Sequence, residues 1–410
     1  MRIAFVSEYP PDQVNLYGGI PYYMSRAIHG ASEFFQYIQI PSFNWGLALK
    51  GGAEGFTELQ KRGESLSKAL LTIDADVVLC QGSAFSAIPY LETEKKVVLW
   101  QDATWLAIME MDFYEFKIQH PFLYEWDSMM LKKCDLVVFA ADWVRDQTLL
   151  YYNIKPEKVH VVPFGANIET VSSEMAAEAI NNRKPTPCQL TFLGIDWRRK
   201  GLHLAYEVMQ RLNMCGLYTK LNVIGCDVSS VSLKRKIKHY MGYKPYDAVD
   251  KFQFRFHKDA GPNVHKFGFV RKDNPTQFSL LCETLKKTHF LLHPANFECY
   301  GIALVEANAY GVPVIATNNH GPKSIIRNKV NGQLYDREEY VERASDFIRQ
   351  YMEDREAYKT LAFSSFREYQ DRFNWSASVQ KIQELLFLDG EKFTRQVTVS
   401  PLPLKQELKL

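Results

Sequence analysis

The sequence is poor in the features that would place it quickly. Its 410 residues carry almost no charge excess, 49 Lys and Arg against 47 Asp and Glu, for a formal net charge of +2. Without a strongly basic domain or stripe, there is no electrostatic ground for nucleic-acid binding. Cysteine is sparse as well. The seven residues (Cys80, Cys134, Cys188, Cys215, Cys226, Cys282 and Cys299) are scattered and never form a CxxC or Cys/His cluster. That excludes a disulfide framework and a structural zinc site, and it points to a reducing compartment. No apolar run approaches the ~20 residues of a membrane span. The opening Met-Arg-Ile-Ala-Phe-Val-Ser turns polar too soon for a signal peptide, so a soluble cytoplasmic protein is expected. A GxGxxG fingerprint for a nicotinamide cofactor is also missing.

What the sequence does contain is alternation. Short runs rich in Val, Ile, Leu and Phe recur between longer helical patterns, the signature of parallel sheets built from βαβ units. The spacing predicts strands at Ile3 to Val6, Val77 to Cys80, Val97 to Trp100, Leu136 to Phe139 and Val159 to Val162. The alternation stops between Ile168 and Pro187, which holds only a short Ala-rich turn and reads as a linker. It restarts at Gln189 to Leu193, Lys220 to Ile224, His265 to Phe269, Phe290 to His293 and Pro313 to Ala316, with helices over Leu202 to Asn213 and Gln277 to Lys287. Two α/β domains are therefore expected, 1–167 and 188–374, joined by 168–187. A helix from Trp375, within about 375–390, and an extended tail over 394–410 follow. The segment Lys234 to His239 reads either as a basic amphipathic helix that touches anionic lipid or substrate, or as an ordinary solvated helix.

Chemistry concentrates between Asn296 and Thr317. Glu298 follows a strand, Gly301 permits close backbone approach, and a helix over Ile302 to Tyr310 ends at Gly311. A helix N-terminus beside a glycine suits a phosphate. Glu298 and Glu306 are placed to accept hydrogen bonds from paired hydroxyls of a sugar or ribose, or else are a helix-start carboxylate and a solvated helix residue. Arg198, Arg199 and Lys200 follow another strand and would stabilise charge on a departing diphosphate, or form a solvated basic turn. Gly18 and Gly19 let the chain pass close to donor phosphates or acceptor, or form only a turn. Asp74-Ala-Asp76 has the spelling of a DxD metal motif but stands where polar residues open a strand, so metal independence is expected.

The setting Phe-Glu-x-Tyr-Gly-Ile-x-x-x-Glu-Ala-x-Ala-x-Gly-x-Pro-Val-Ile-Ala-Thr resembles the donor-site signature of retaining glycosyltransferases of family 4. Phe192 to Gly201, Tyr17-Gly-Gly19, Val162 to Asn167 and Phe373-Asn-Trp-Ser376 resemble further landmarks of that family in order, across most of the chain. The resemblance implies the GT-B fold: two Rossmann-like, doubly wound parallel-sheet domains facing a central cleft, with the C-terminal helix crossing back to the first. It implies that Glu298 holds the transferred sugar and Glu306 the ribose. Cys299, Tyr300, Gly301 and Ile302 would meet sugar and diphosphate through their backbone, with the base near Gly268 to Val270. Lys200 and an arginine, Arg199 over Arg198, would contact the diphosphate. Where many members place a sugar-contacting His, this sequence has Asp102, which either replaces it or caps the next helix. His293, before Pro294, is expected to be structural. The implied donor is a GDP- or UDP-linked hexose, the acceptor a glycan, lipid or small molecule. The alternatives are a nucleotide-sugar 2-epimerase and a catalytically silent nucleotide-sugar binding protein.

Overall fold

The computed structural model describes residues 1–43, 53–110, 121–226, 228, 252, 256, 260–387 and 407–409. The basic segment Lys234 to His239 lies outside them, as does most of the 394–410 tail. The chain divides into two units, one of Met1–Asn167 with Arg372–Leu410, the other of Ile168–Asp371. The stretch from Ile168 to Pro187 therefore belongs to the second unit. It is also more ordered than a linker: Ser172 accepts a hydrogen bond from Met175 N and starts a helix, Ser173–Asn182. The Ala-rich run read as a turn has the composition of a good helix, and the Ser cap supplies its missing start signal.

The first unit holds a parallel sheet of β1 (Arg2–Ser7), β2 (Phe34–Gln39), β3 (Val77–Cys80), β4 (Lys96–Gln101), β5 (Leu136–Phe139), β6 (Val159–Val161) and β13 (Glu407–Lys409). The strand order is β13-β2-β1-β3-β4-β5-β6. Strands β1, β3, β4 and β5 are apolar on both faces because helices cover both; Val78, Cys80, Leu99, Val137 and Phe139 pack with Leu66, Met130 and Val144 from the helices. The helix Trp375–Leu386, capped by Asn374 through Ala377 N at 2.9 Å, packs on the helix Ile20–Gly30.

The second unit has β7 (Cys188–Leu193), β8 (Thr219–Ile224), β9 (Val264–Gly268), β10 (Phe290–His293), β11 (Val314–Thr317) and β12 (Gly332–Tyr335) in the order β12-β11-β10-β7-β8-β9. Its core joins Leu190, Phe192, Val223, Phe290 and Leu292 to Leu202, Val208 and Tyr340. Two strands, β2 and β12, break the expected pattern. Glutamines at 36, 39 and 333 interrupt their apolar runs, and β12 closes one edge of its sheet. In each unit the loops at the carboxyl ends of the strands carry the residues of interest, where ligands of open α/β sheets bind. Among the described residues no helix is long and apolar enough to cross a membrane.

Candidate functional site

In the second unit the turn after β7 is folded by Asp196, whose Oδ1 accepts the N–H groups of Arg198 at 3.2 Å and Arg199 at 3.1 Å. It ends at Gly201, where φ is +76° and an added Cβ would fall 2.1 Å from the Pro294 carbonyl oxygen. Only glycine fits there. Asn296 N donates to Arg199 O at 2.8 Å, so the basic turn and the loop after β10 are stitched together.

The three adjacent cations then part ways. Lys200 Nζ donates to Glu298 Oε2, and the two side chains are 12% and 11% exposed. Arg199 Nη1 donates to Phe297 O at 2.8 Å and lies 3.9 Å from the same Glu298 oxygen. The Arg198 guanidinium instead stands over the Trp197 ring at 4.7 Å. Burial and the charge of Arg199 hold the Lys200 ammonium well below its ordinary range, and burial lowers Arg199 too. Enclosing such charges is costly unless they are paired, so their concentration on one carboxylate marks a site.

His293, expected to be structural, joins them. Its Nε2 lies 2.9 Å from Glu298 Oε2. Burial, with Lys200 and Arg199 nearby, pushes the imidazole well below its ordinary value. A neutral ring beside a carboxylate carries its proton on Nε2 and donates it there. Glu298 is thus held by one ammonium and one imidazole.

Gly301, at φ +109°, starts the helix Ile302–Ala309. This helix has no side-chain cap and no acidic residue in its first turn, which leaves its first amides without a competing anion. Before it, Tyr300 is buried and Cys299 half-buried; Ile302 is half-buried at its first position. Glu306, inside the helix, is only 2% exposed and accepts from Lys272 Nζ at 2.5 Å. Burial raises its carboxyl, against the pull of Lys272. Val270, half-buried, precedes Lys272 in the loop after β9. The structure therefore gathers Arg199, Lys200 and Glu298 with the unforeseen His293, and gives Glu306 the unforeseen Lys272. Both missed residues stand at or just past a strand's carboxyl end, the one positional signal that could have found them.

Gly18, Gly19 and Asp102 form a group of their own in the first unit. Tyr17, Gly18 and Gly19 all have left-handed φ, +48°, +65° and +91°. The Tyr17 hydroxyl donates to Asp102 Oδ1 at 2.7 Å, while burial raises the Asp102 carboxyl. Asp102 is not the cap of the helix Trp105–Glu110. Leu106 N goes to Asp127 Oδ2 at 3.1 Å and Ala107 N to Thr104 Oγ1 at 3.2 Å. The DxD spelling is a guanidinium clamp: Arg2 donates to Asp74 and Asp76, each at 2.7 Å.

Similar solved structures align with almost the whole chain. The sucrose-phosphate synthase of Thermosynechococcus elongatus is 15% identical with a TM-score of 0.66, covering 95% of this chain and 100% of that one. The apo lipopolysaccharide outer core galactosyltransferase WaaB gives 15%, 0.61, 95% and 100%. Anabaena HepE in complex with UDP and glucose gives 14%, 0.62, 94% and 99%. The fold is GT-B. Residues 175–364 match the family model described as "Glycosyl transferases group 1", and that span contains Arg199, Lys200, Lys272, His293, Glu298 and Glu306. Among curated relatives, the sucrose-phosphate synthase of Spinacia oleracea is 36% identical over 88 residues, 22% of this chain and 8% of that one. The sucrose synthase of Melioribacter roseus is 30% identical over 102 residues, 24% of this chain and 13% of that one. The matched segment spans about a tenth of those relatives, as the 8% and 13% show.

Proposed function

We propose that the chain is a retaining glycosyltransferase that moves a hexose from a UDP- or GDP-linked donor to a hydroxyl of a glycan, lipid or small-molecule acceptor without a metal. One observation carries the reading. Two buried carboxylates, each gripped by a lysine, flank an uncapped helix start within the span that matches the glycosyl transferases group 1 model.

The chemistry follows from those pairs. A donor offers what each partner of the Lys200–Glu298 pair lacks: the diphosphate takes the ammonium, and a sugar hydroxyl takes the carboxylate. Lys200, Arg199 and the amides after Gly301 oppose the charge that grows as the bond between the anomeric carbon and phosphate oxygen breaks. The acceptor oxygen bonds to that carbon on the same face, and its proton passes to the departing phosphate. His293 keeps Glu298 aimed when Lys200 changes partner. Glu306, held at Oε1 by Lys272, has its other oxygen for the ribose hydroxyls. We assign the acceptor to the first unit, and to Asp102 a role toward the transferred sugar. We place its work in the cytoplasm, where the seven scattered cysteines would stay reduced.

The His293–Glu298 contact also favours a second reading, a nucleotide-sugar 2-epimerase, because an imidazole and a carboxylate in contact could shuttle protons. Incubation with UDP-glucose, UDP-galactose or GDP-mannose, run with and without EDTA, separates the two. Transfer predicts slow release of nucleoside diphosphate that speeds up with acceptor. Epimer formation without acceptor would replace it with the second reading, and tight binding with no release with a silent binding protein. Loss of release in EDTA would overturn metal independence.

A further inference from the structure

We propose that Asn167 is a positioning residue for the transfer reaction, holding the left-handed Tyr17–Gly19 turn and, through it, the Asp102 carboxylate. The proposal rests on the transfer reading, which gives Asp102 a role toward the transferred sugar.

Asn167 is the last residue of the first unit before the chain enters the second, and Trp375 lies just after the chain returns. The two meet inside the first unit. Trp375 Nε1 donates to Asn167 Oδ1 at 3.0 Å, and Asn167 Nδ2 donates to Gly18 O at 2.9 Å. Asn167 has no exposure at all. The outgoing and returning segments are zipped around it: Ala166 N donates to Phe373 O at 2.8 Å, and a Cβ on Gly165 would fall 2.4 Å from Trp375 N. The Trp375 ring packs against Phe164 and Trp100, each with centroids 5.9 Å away. Trp100 lies two residues before Asp102.

A left-handed tyrosine ahead of two left-handed glycines is costly and persists only if something holds it. Here both ends are held. Gly18 O is tied to Asn167, while the Tyr17 hydroxyl is tied to Asp102. A side-chain amide suits this place because it accepts from the indole with its oxygen and donates to the glycine carbonyl with its nitrogen. Aspartate can do only the first.

Asn167→Asp in the full chain is the test. It keeps an acceptor for Trp375 and sets an oxygen against Gly18 O. The Ile20 amide, which closes the turn on Tyr17 O, is expected to exchange its hydrogen about tenfold faster while the amides of β3 and β5 keep their protection. Turnover of donor is expected to fall about tenfold with UDP affinity unchanged, since the groups assigned to the nucleotide are in the second unit. Unchanged exchange at Ile20 would overturn the proposal. So would protection lost equally across the first unit, which marks a merely structural residue, or a loosened turn with wild-type turnover. A wild-type chain that releases no nucleoside diphosphate from any donor would defeat the transfer reading instead, and the exchange measurement would still decide what Asn167 holds.

Discussion

The two units share a parallel-sheet plan, and each holds a pair of carboxylates with a different kind of partner. In the first, Asp102 and Asp127 each accept from a phenol, Tyr17 and Tyr152, both at 2.7 Å. In the second, Glu298 and Glu306 each accept from a lysine, Lys200 and Lys272. A phenol satisfies a lone pair without bringing charge. Burial wins at Asp127, whose carboxyl is pushed up to about 7. A lysine brings a charge that a ligand can claim. Under the proposed function, the ion pairs of the second unit are the ones a charged, hydroxyl-rich donor would exchange, while the phenols of the first unit keep its carboxyls in place.

The largest expected effect breaks that contrast at its centre. Lys200→Ala removes the cation assigned to the departing diphosphate, and donor turnover is expected to fall by about 10²–10³, the usual cost of deleting a preorganised electrostatic partner. Tyr17→Phe removes the corresponding partner in the first unit and is expected to cost about tenfold at most, as a neutral hydrogen bond does. Equal losses in steady-state assays would erase the distinction.

Next comes pH, where one buried group in each unit is expected to contribute an opposite slope. Asp127 has an ordinary value of 3.8 and is raised to about 7, so the folded chain binds the extra proton between those values. Its contribution is complete below pH 4 and lost as pH rises through 7. His289, in the second unit, is lowered from 6.5 to about 3, chiefly by burial. Its contribution is complete above pH 6.5 and lost as pH falls towards 3. In urea unfolding, Asp127→Asn is expected to gain on the wild type as pH rises from 4 to 7, and His289→Gln to gain as pH falls from 6.5 to 3. Each change should be on the order of 3 kcal/mol across its window. Parallel, pH-independent offsets would refute both assignments.

Smaller still, Tyr152→Phe takes the hydroxyl from Asp127 Oδ2, whose Oδ1 has no partner among the described residues. About 1 kcal/mol of stability should be lost at pH 7, read as a lower urea midpoint. No change would show that water replaces the phenol there.

How much of this was legible beforehand depended on range. The strands β3, β5 and β10 fall at the residues their Val, Leu and Phe runs indicate, because a doubly covered strand writes its burial into four consecutive letters. Strand β2 did not announce itself, since Gln36 and Gln39 dilute its run. The Lys200–Glu298 contact joins residues 98 apart, and no local pattern encodes such a meeting. Only the resemblance put both in one site. The partner of His293 was hidden for the same reason: its neighbour Pro294 is visible in sequence, while Glu298 comes within reach only when the loop turns back. The Asp102 question, sugar contact or helix cap, was half answered by geometry, because Asp127 and Thr104 already cap that helix.

In the proposed reaction the second unit divides the donor between two carboxylates, sugar to Glu298 and nucleotide to Glu306. Calorimetric titration of UDP and GDP into Glu298→Gln and Glu306→Gln tests it most directly. Glu306→Gln is expected to weaken binding of the preferred diphosphate by about 1.5–3 kcal/mol, the range for a hydrogen bond to a charged group, and Glu298→Gln to leave it nearly unchanged. Equal weakening in both variants, or weakening in Glu298→Gln alone, would contradict it.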